Sequence, residues 1–304
     1  MSQLVQDFQS MLRIRRFEET VLESFSRGLF FGTTHTYLGQ EAIAVGVLYH
    51  CSQEDIVVSN HRCHGHFLAY GGPMRSLAAE LMGRSTGVCG GRGGSQHLTW
   101  NHFYSSGILG GTVPLGTGMA FAQRERGAGI VFVFLGDGAL GEGVVYESLN
   151  MASLWRLPVL FVVENNKYAQ TTPIEKNLAG GLRERFAAFS LPVEAVEGAE
   201  LDAIRDASKY LINGIRSGSG PAALICSTYR FGPHSKGDDL RDPQEIARHR
   251  ANDPLIRIRK DLPGETASRI QKVVDDEVRT AFEQAESDPM ADPQSLTPPL
   301  EVLS

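Results

Sequence analysis

The chain has 304 residues, 42% hydrophobic and 21% charged, with a formal net charge of −6 at pH 7. That is ample apolar material for one large α/β core, and mixed-sign charge without a lysine or arginine block argues against a nucleic-acid surface. No apolar run reaches membrane-spanning length, the N-terminus lacks a signal peptide's apolar region, and Cys51, Cys63, Cys89 and Cys226 show no paired spacing, so a reducing cytoplasm is the expected location.

In chain order, residues 3–27 predict an amphipathic helix whose basic patch, Arg13 to Arg16, reads as a solvated face. Phe30-Phe31-Gly32 reads as a turn. Gly39-Gln40-Glu41-Ala42 then opens a helix over 41–50, with Glu41 at the positive end of its dipole. Residues 55–59 read as a short strand, followed by Asn60-His61-Arg62-Cys63-His64-Gly65-His66. The histidines and cysteine of that stretch are packed too tightly along the chain for a closed four-ligand zinc site. A guanidinium among imidazoles after a strand's carboxyl end suits an anionic ligand better. Gly87 to His97 is too glycine-rich for helix or strand and reads as a shaped loop. Residues 113–124 predict a helix with small residues along one side, suited to close packing on another helix or subunit.

The stretch from 130 to 168 is the most informative. Ile130 to Leu135 is an unbroken apolar run, as a buried parallel strand requires. Gly136-Asp137-Gly138 breaks it; helical spacing follows over 142–155, and Val159 to Val163 is a second buried strand ending in Glu164-Asn165-Asn166. Asp137 and Asn166 thus each follow the carboxyl end of a strand in one βαβ unit, where open α/β sheets bind their ligands. A carboxylate and an amide oxygen are hard donors suited to Mg²⁺ shared with phosphates, and the helix N-terminus with the glycine-rich backbone before it offers N–H groups to a diphosphate. Downstream, 174–190 is polar and irregular, while 192–196, 201–212 and 222–228 predict strand, helix and strand in a right-handed crossover. A loop over 228–239 and a helix over 265–285 follow. One domain over 1–287 is expected, and a Pro-rich tail, 288–304, that is extended or mobile.

GDG followed by ENN resembles the thiamine-diphosphate motif. From about Phe17 to about Leu255 the chain is similar to alpha subunits of the decarboxylating component of 2-oxo acid dehydrogenases, a group with pyruvate, acetoin and branched-chain members. The resemblance implies an α/β three-layer sandwich with a mainly parallel sheet, the thiamine-diphosphate-binding fold. It implies Mg²⁺ held by the side chains of Asp137 and Asn166 and the carbonyl of Tyr168, with Gly136, Gly138 and Ala139 in backbone contact with thiamine diphosphate. Arg62 would touch the diphosphate, and His61 stands where the family's Tyr-Arg-x-His-Gly pattern has tyrosine. Gly107 and Leu109 would face the aminopyrimidine ring. His35, just before GQEA, would point into the active site, and His234, in a loop resembling YR-x-x-x-HS, would reach the diphosphate and the reacting carbons as an acid–base group. Ser235 aligns with a regulatory phosphorylation site of animal relatives.

The same resemblance implies a separate beta subunit, which supplies the glutamate that activates the aminopyrimidine within an α2β2 heterotetramer, and a lipoyl-bearing acyltransferase as acceptor. His35 and the MASLWRLPV join favour the pyruvate or acetoin side. Gly232-Pro233-His234-Ser235 followed by Asp238-Asp239 has a branched-chain character, and Gly141 and Glu142 depart from the usual pairing after GDGA. A carboligase joining an acyl carbanion to another carbonyl is an alternative reading. A degenerate, non-catalytic subunit is another, against which the intact Asp137, Asn166, Arg62 and His234 weigh.

Overall fold

The computed structural model describes residues 2–293 apart from Phe31, Gly198, Ala199, Lys236 and Asp238. Its elements run α1 (Gln3–Ser26), α2 (Glu41–Leu48), β1 (Ile56–Ser59), α3 (Cys63–Ala69), α4 (Met74–Leu81), β2 (Thr99–Trp100), β3 (Phe103–Ser105), α5 (Thr112–Arg126), β4 (Val131–Gly136), α6 (Gly143–Leu154) and β5 (Val159–Asn165). There follow β6 (Tyr168–Ala169), β7 (Thr172–Pro173), α7 (Leu182–Ala187), β8 (Val193–Val196), α8 (Leu201–Arg216), β9 (Ala222–Ser227), α9 (Pro243–Ala251), α10 (Pro254–Lys260) and α11 (Gly264–Ser287).

Seven strands form one sheet in the order β2-β3-β1-β4-β5-β9-β8, parallel throughout except for the β2–β3 pair at one edge. Alternation along the buried central strands sends side chains to two separate cores. Phe132 and Phe134 of β4 point, with Leu160 and Val162 of β5, toward α1–α4, α8, α10 and α11. Val131, Val133 and Leu135, with Phe161 and Val163, meet α5, α6 and α7. Each such side chain contributes roughly 1.5–3 kcal/mol by leaving water, so the apolar runs at 130–135 and 159–163 define the middle layer. The three-layer, mainly parallel architecture expected from the sequence is the one observed.

Several local expectations change. Asp137–Gly141 is a short 3₁₀ turn, and α6 begins only at Gly143, so the backbone following Asp137 belongs to that turn. The stretch after Arg62 forms helix α3. The basic patch of α1 is not a solvated face: Arg15 is largely enclosed and grips both Glu41 and Asp253, while Arg13 pairs with Glu277. The described start of the tail is anchored. Ser85 N–H donates to the Pro289 carbonyl and Ala291 N–H to the Gly83 carbonyl, both at 2.9 Å, and Arg75 holds the Asp288 carboxylate at 2.8 Å. Residues 294–304, Phe31 of the expected turn, and Lys236 and Asp238 of the 228–239 loop lie outside the described residues.

Candidate active site

Parallel pairing brings the carboxyl ends of β1, β4, β5 and β9 to one edge, and Gly136 of β4 lies opposite Glu164 of β5. The segments leaving these strands enclose a cleft of about 260 Å³ lined by Arg62, Asp137, Gly138, Asn166, Tyr168 and His234 among others. His61, Leu109, Gly136 and Ala139 also line it. Gly107 does not: it makes room for a neighbour, since a Cβ there would fall 2.0 Å from Gln96 Oε1. Gly138 permits another close approach, because its Cβ would meet Ala169 Cβ at 2.8 Å.

Two buried charged groups at this edge are incompletely matched among the described residues. Asp137 is 1% exposed and its Oδ2 has no hydrogen-bond partner among the described residues. Burial pushes its carboxyl up to about 6 against the lowering effect of nearby backbone N–H groups and Arg230. Asn166 Oδ1 accepts from the Tyr168 N–H at 3.2 Å while its Nδ2 donates to Gln40 Oε1 at 3.1 Å, which fixes the amide with its oxygen toward the β5–β6 turn. On the other side Arg62 is fully enclosed. It donates to the Thr36 carbonyl at 2.8 Å and the His234 carbonyl at 3.1 Å, and burial followed by the charge of Arg230 pushes its guanidinium down to about 9. A buried carboxylate oxygen without a donor and a depressed guanidinium suit a cation beside an anion.

Behind the cleft lies a network that the sequence did not reveal. Glu164 is buried and accepts from Asn60 Nδ2 at 3.2 Å, lies 3.1 Å from His66 Nε2, and also accepts from the Tyr37 hydroxyl. Burial alone would raise its carboxyl, but His66 and these hydrogen bonds outweigh it and hold it below the usual range. Asn60 Oδ1 in turn accepts the Arg62 N–H at 2.8 Å, so the buried carboxylate steadies the backbone of the anion-facing arginine. The other histidine of α3, His64, turns to buried Glu18 at 3.1 Å. The histidines of the 61–66 stretch therefore part company.

His61 instead joins His35 and His234. Their ligating nitrogens all lie within 4.8 Å of one another, and His35 Nε2 stands 3.2 Å from His234 Nε2. Burial, then the charge of Arg62, pushes His61 well below the usual histidine range, which keeps it neutral. Asn60, Gln96, Glu164 and Arg230 were absent from the sequence-derived site. The only signal was position: Asn60 and Glu164 sit at strand ends beside residues already singled out.

Fold and cleft define an α/β protein with a candidate site at the carboxyl edge of a parallel sheet. The model of the dehydrogenase E1 component family matches residues 9–294, and the chain belongs to that family. It is 38% identical to the pyruvate dehydrogenase E1 component subunit alpha of Zymomonas mobilis, over 97% of this chain and 87% of that protein. The corresponding subunit of Rhizobium meliloti is 39% identical over 95% of this chain and 87% of its own length. A chloroplastic alpha-3 subunit of Oryza sativa is 36% identical over 93% and 72%. The chain is accordingly an alpha subunit of 2-oxo acid dehydrogenase type. No helix among the described residues is long and apolar enough to cross a membrane.

Proposed function

We propose that the cleft binds thiamine diphosphate with Mg²⁺ and that the chain serves as the alpha subunit of a pyruvate dehydrogenase. The observation that carries this reading is the Oδ2 of buried Asp137, without a hydrogen-bond partner among the described residues, in the cleft that Arg62 also lines. Asp137, the Asn166 side chain and the Tyr168 carbonyl would hold the metal, and Arg62 the diphosphate. Thiamine diphosphate held there would supply the electron-sink chemistry that cleavage of the carbon–carbon bond next to a 2-oxo acid's carbonyl requires. The protein's own part is to bind, orient and move protons. Gly136, Gly138 and Ala139 bring backbone close to the ligand, and Leu109 forms one apolar wall. His35 and His234, touching across 3.2 Å, stand where a proton can be delivered or charge stabilised.

The aminopyrimidine-activating glutamate is assigned to a separate beta subunit in an α2β2 heterotetramer, and a lipoyl-bearing acyltransferase is the acceptor. The pyruvate names of the relatives support the substrate class. The test is co-expression with the beta subunit and an assay with thiamine diphosphate, Mg²⁺ and an artificial electron acceptor. Pyruvate should be turned over in preference to acetoin and branched 2-oxo acids. Asp137→Ala should weaken Mg²⁺-dependent cofactor binding by more than the roughly 10–100-fold that loss of an outer-shell partner costs. Unchanged affinity in that variant would remove the metal assignment, and preferential turnover of a branched 2-oxo acid would move the substrate.

A further inference from the structure

The glycine-rich loop from Gly87 to His97 has the composition of an anion cradle. Successive backbone N–H groups turned inward by left-handed residues form a concavity that takes a negative charge. Gly90, Gly91 and Gly94 do have positive φ, at +67°, +76° and +56°. The charge they enclose belongs to the chain itself. Glu80 of α4 is fully buried, and its Oε2 accepts the N–H groups of Cys89 at 2.8 Å and Gly91 at 2.9 Å. Its Oε1 accepts those of Gly93 at 2.6 Å and Gly94 at 3.2 Å. The wrap is close: a Cβ at Gly87 would fall 2.3 Å from Glu80 Oε2, and one at Gly91 would fall 2.6 Å from the Gly83 carbonyl carbon. Enclosed N–H groups without ladder partners need acceptors. A carboxylate can accept at both oxygens, whereas an amide accepts at one.

What the loop carries links this anchor to the cleft. Ser95 is fastened to α3: its carbonyl accepts from Cys63 Sγ at 3.2 Å and lies 3.1 Å from His64 Nε2. Gln96 comes next, and its carbonyl accepts the Ser105 hydroxyl at 2.9 Å, just before the segment that leads to Leu109. Its side-chain Nε2 donates to the Thr33 carbonyl at 3.3 Å and stands 3.4 Å from His35 Nδ1. Its Oε1 fills the space that a Cβ at Gly107 would need. His35 in turn packs edge-on against His61 and His234 of the cleft. The side-chain contacts of Gln96 are long and individually weak. Its placement therefore depends on where the loop is held, and Glu80 holds it.

We infer that Glu80, which lies outside the cleft, is a positioning residue: it fills the concavity of the glycine-rich loop and, through that loop, sets Gln96 against His35. The importance of His35 to turnover rests on the proposed function, but the anchoring of the loop does not.

The test combines amide hydrogen exchange with ¹⁵N-histidine spectra of the full chain. Glu80→Gln should speed exchange at Cys89, Gly91, Gly93 and Gly94 about tenfold to a hundredfold, as loss of a hydrogen bond to a charged group implies. It should also shift the ring signals of His35. Glu80→Asp keeps the charge on a shorter stem, so it should show the same changes to a smaller degree, and it carries the comparison by itself where the amide does not fold. Leu77→Ala opens a cavity on the same helix and is the control. It should lower the melting temperature while leaving loop exchange and the His35 signals as in wild type. Gln96→Ala should shift His35 without loosening residues 89–94, and adding Glu80→Gln to it should shift His35 no further. In the complex with the beta subunit, kcat for pyruvate should follow the same cycle, with either single variant losing about tenfold to a hundredfold and KM little changed. Exchange no faster in the Glu80 variants than in Leu77→Ala would overturn the inference. So would His35 shifts that add in the double variant. Absence of pyruvate turnover in the wild type would instead count against the dehydrogenase reading, and the exchange and ring signals would still decide the role of Glu80.

Discussion

Asp137 provides a sharp test, because the feature that suits it to a cation should cost the cofactor-free protein stability. Its carboxyl is pushed from 3.8 to about 6, first by burial, with no partner on Oδ2 among the described residues. A folded-state value above the unfolded one means that ionisation favours the unfolded chain. The penalty begins as pH rises past 3.8 and is complete above 6. Two pK units correspond to about 3 kcal/mol. Asp137→Asn keeps the shape but cannot ionise. It also buries an amide lacking partners, a pH-independent cost of about 1–3 kcal/mol. The difference between variant and wild type therefore separates the two effects. Followed by urea unfolding in EDTA without thiamine diphosphate, the variant should gain on wild type by about 2 kcal/mol between pH 4.5 and 8. With Mg²⁺ and thiamine diphosphate the wild type should recover the advantage, because the ligand stabilises only the chain that binds it. A gap that does not change with pH would refute the buried, uncompensated carboxylate.

Two further outcomes follow from the packing around the cleft. Glu164→Gln exchanges a buried acceptor of three hydrogen bonds for an amide that cannot take them all; urea unfolding should show a loss of about 3–5 kcal/mol, and a loss under 1 kcal/mol would show that the network relaxes freely. Gly39→Ala places a Cβ 2.3 Å from the Tyr229 carbonyl at a φ of +93°, so it should displace the segment leading to His234 and lower both melting temperature and phosphate affinity; a wild-type melting curve would contradict the close approach.

The sequence by itself determined the βαβ unit around Asp137 and Asn166, and with it the fold class. Strands that lie fully buried between two helical layers must be continuously apolar, so residues 130–135 and 159–163 are legible without a structure. Their carboxyl ends follow in order, which places Gly136 to Ala139 and Asn166 to Tyr168 on one edge. His35 and His234 became legible only through resemblance, since an isolated loop histidine carries no periodic signal. The tertiary structure alone decided the rest. Helix α3 was hidden because Cys63-His64-Gly65-His66 has no amphipathic spacing; its histidines are paid for by Glu18 and Glu164, which come from distant elements. Arg15 looked like surface because nothing local predicts that Glu41 and Asp253 converge on it. Gln96 was one polar residue in a glycine-rich loop until the Thr33 carbonyl and Gly107 fixed its amide against His35. Backbone periodicity is a local property of a chain, whereas the protonation of an imidazole depends on which groups the fold places behind it.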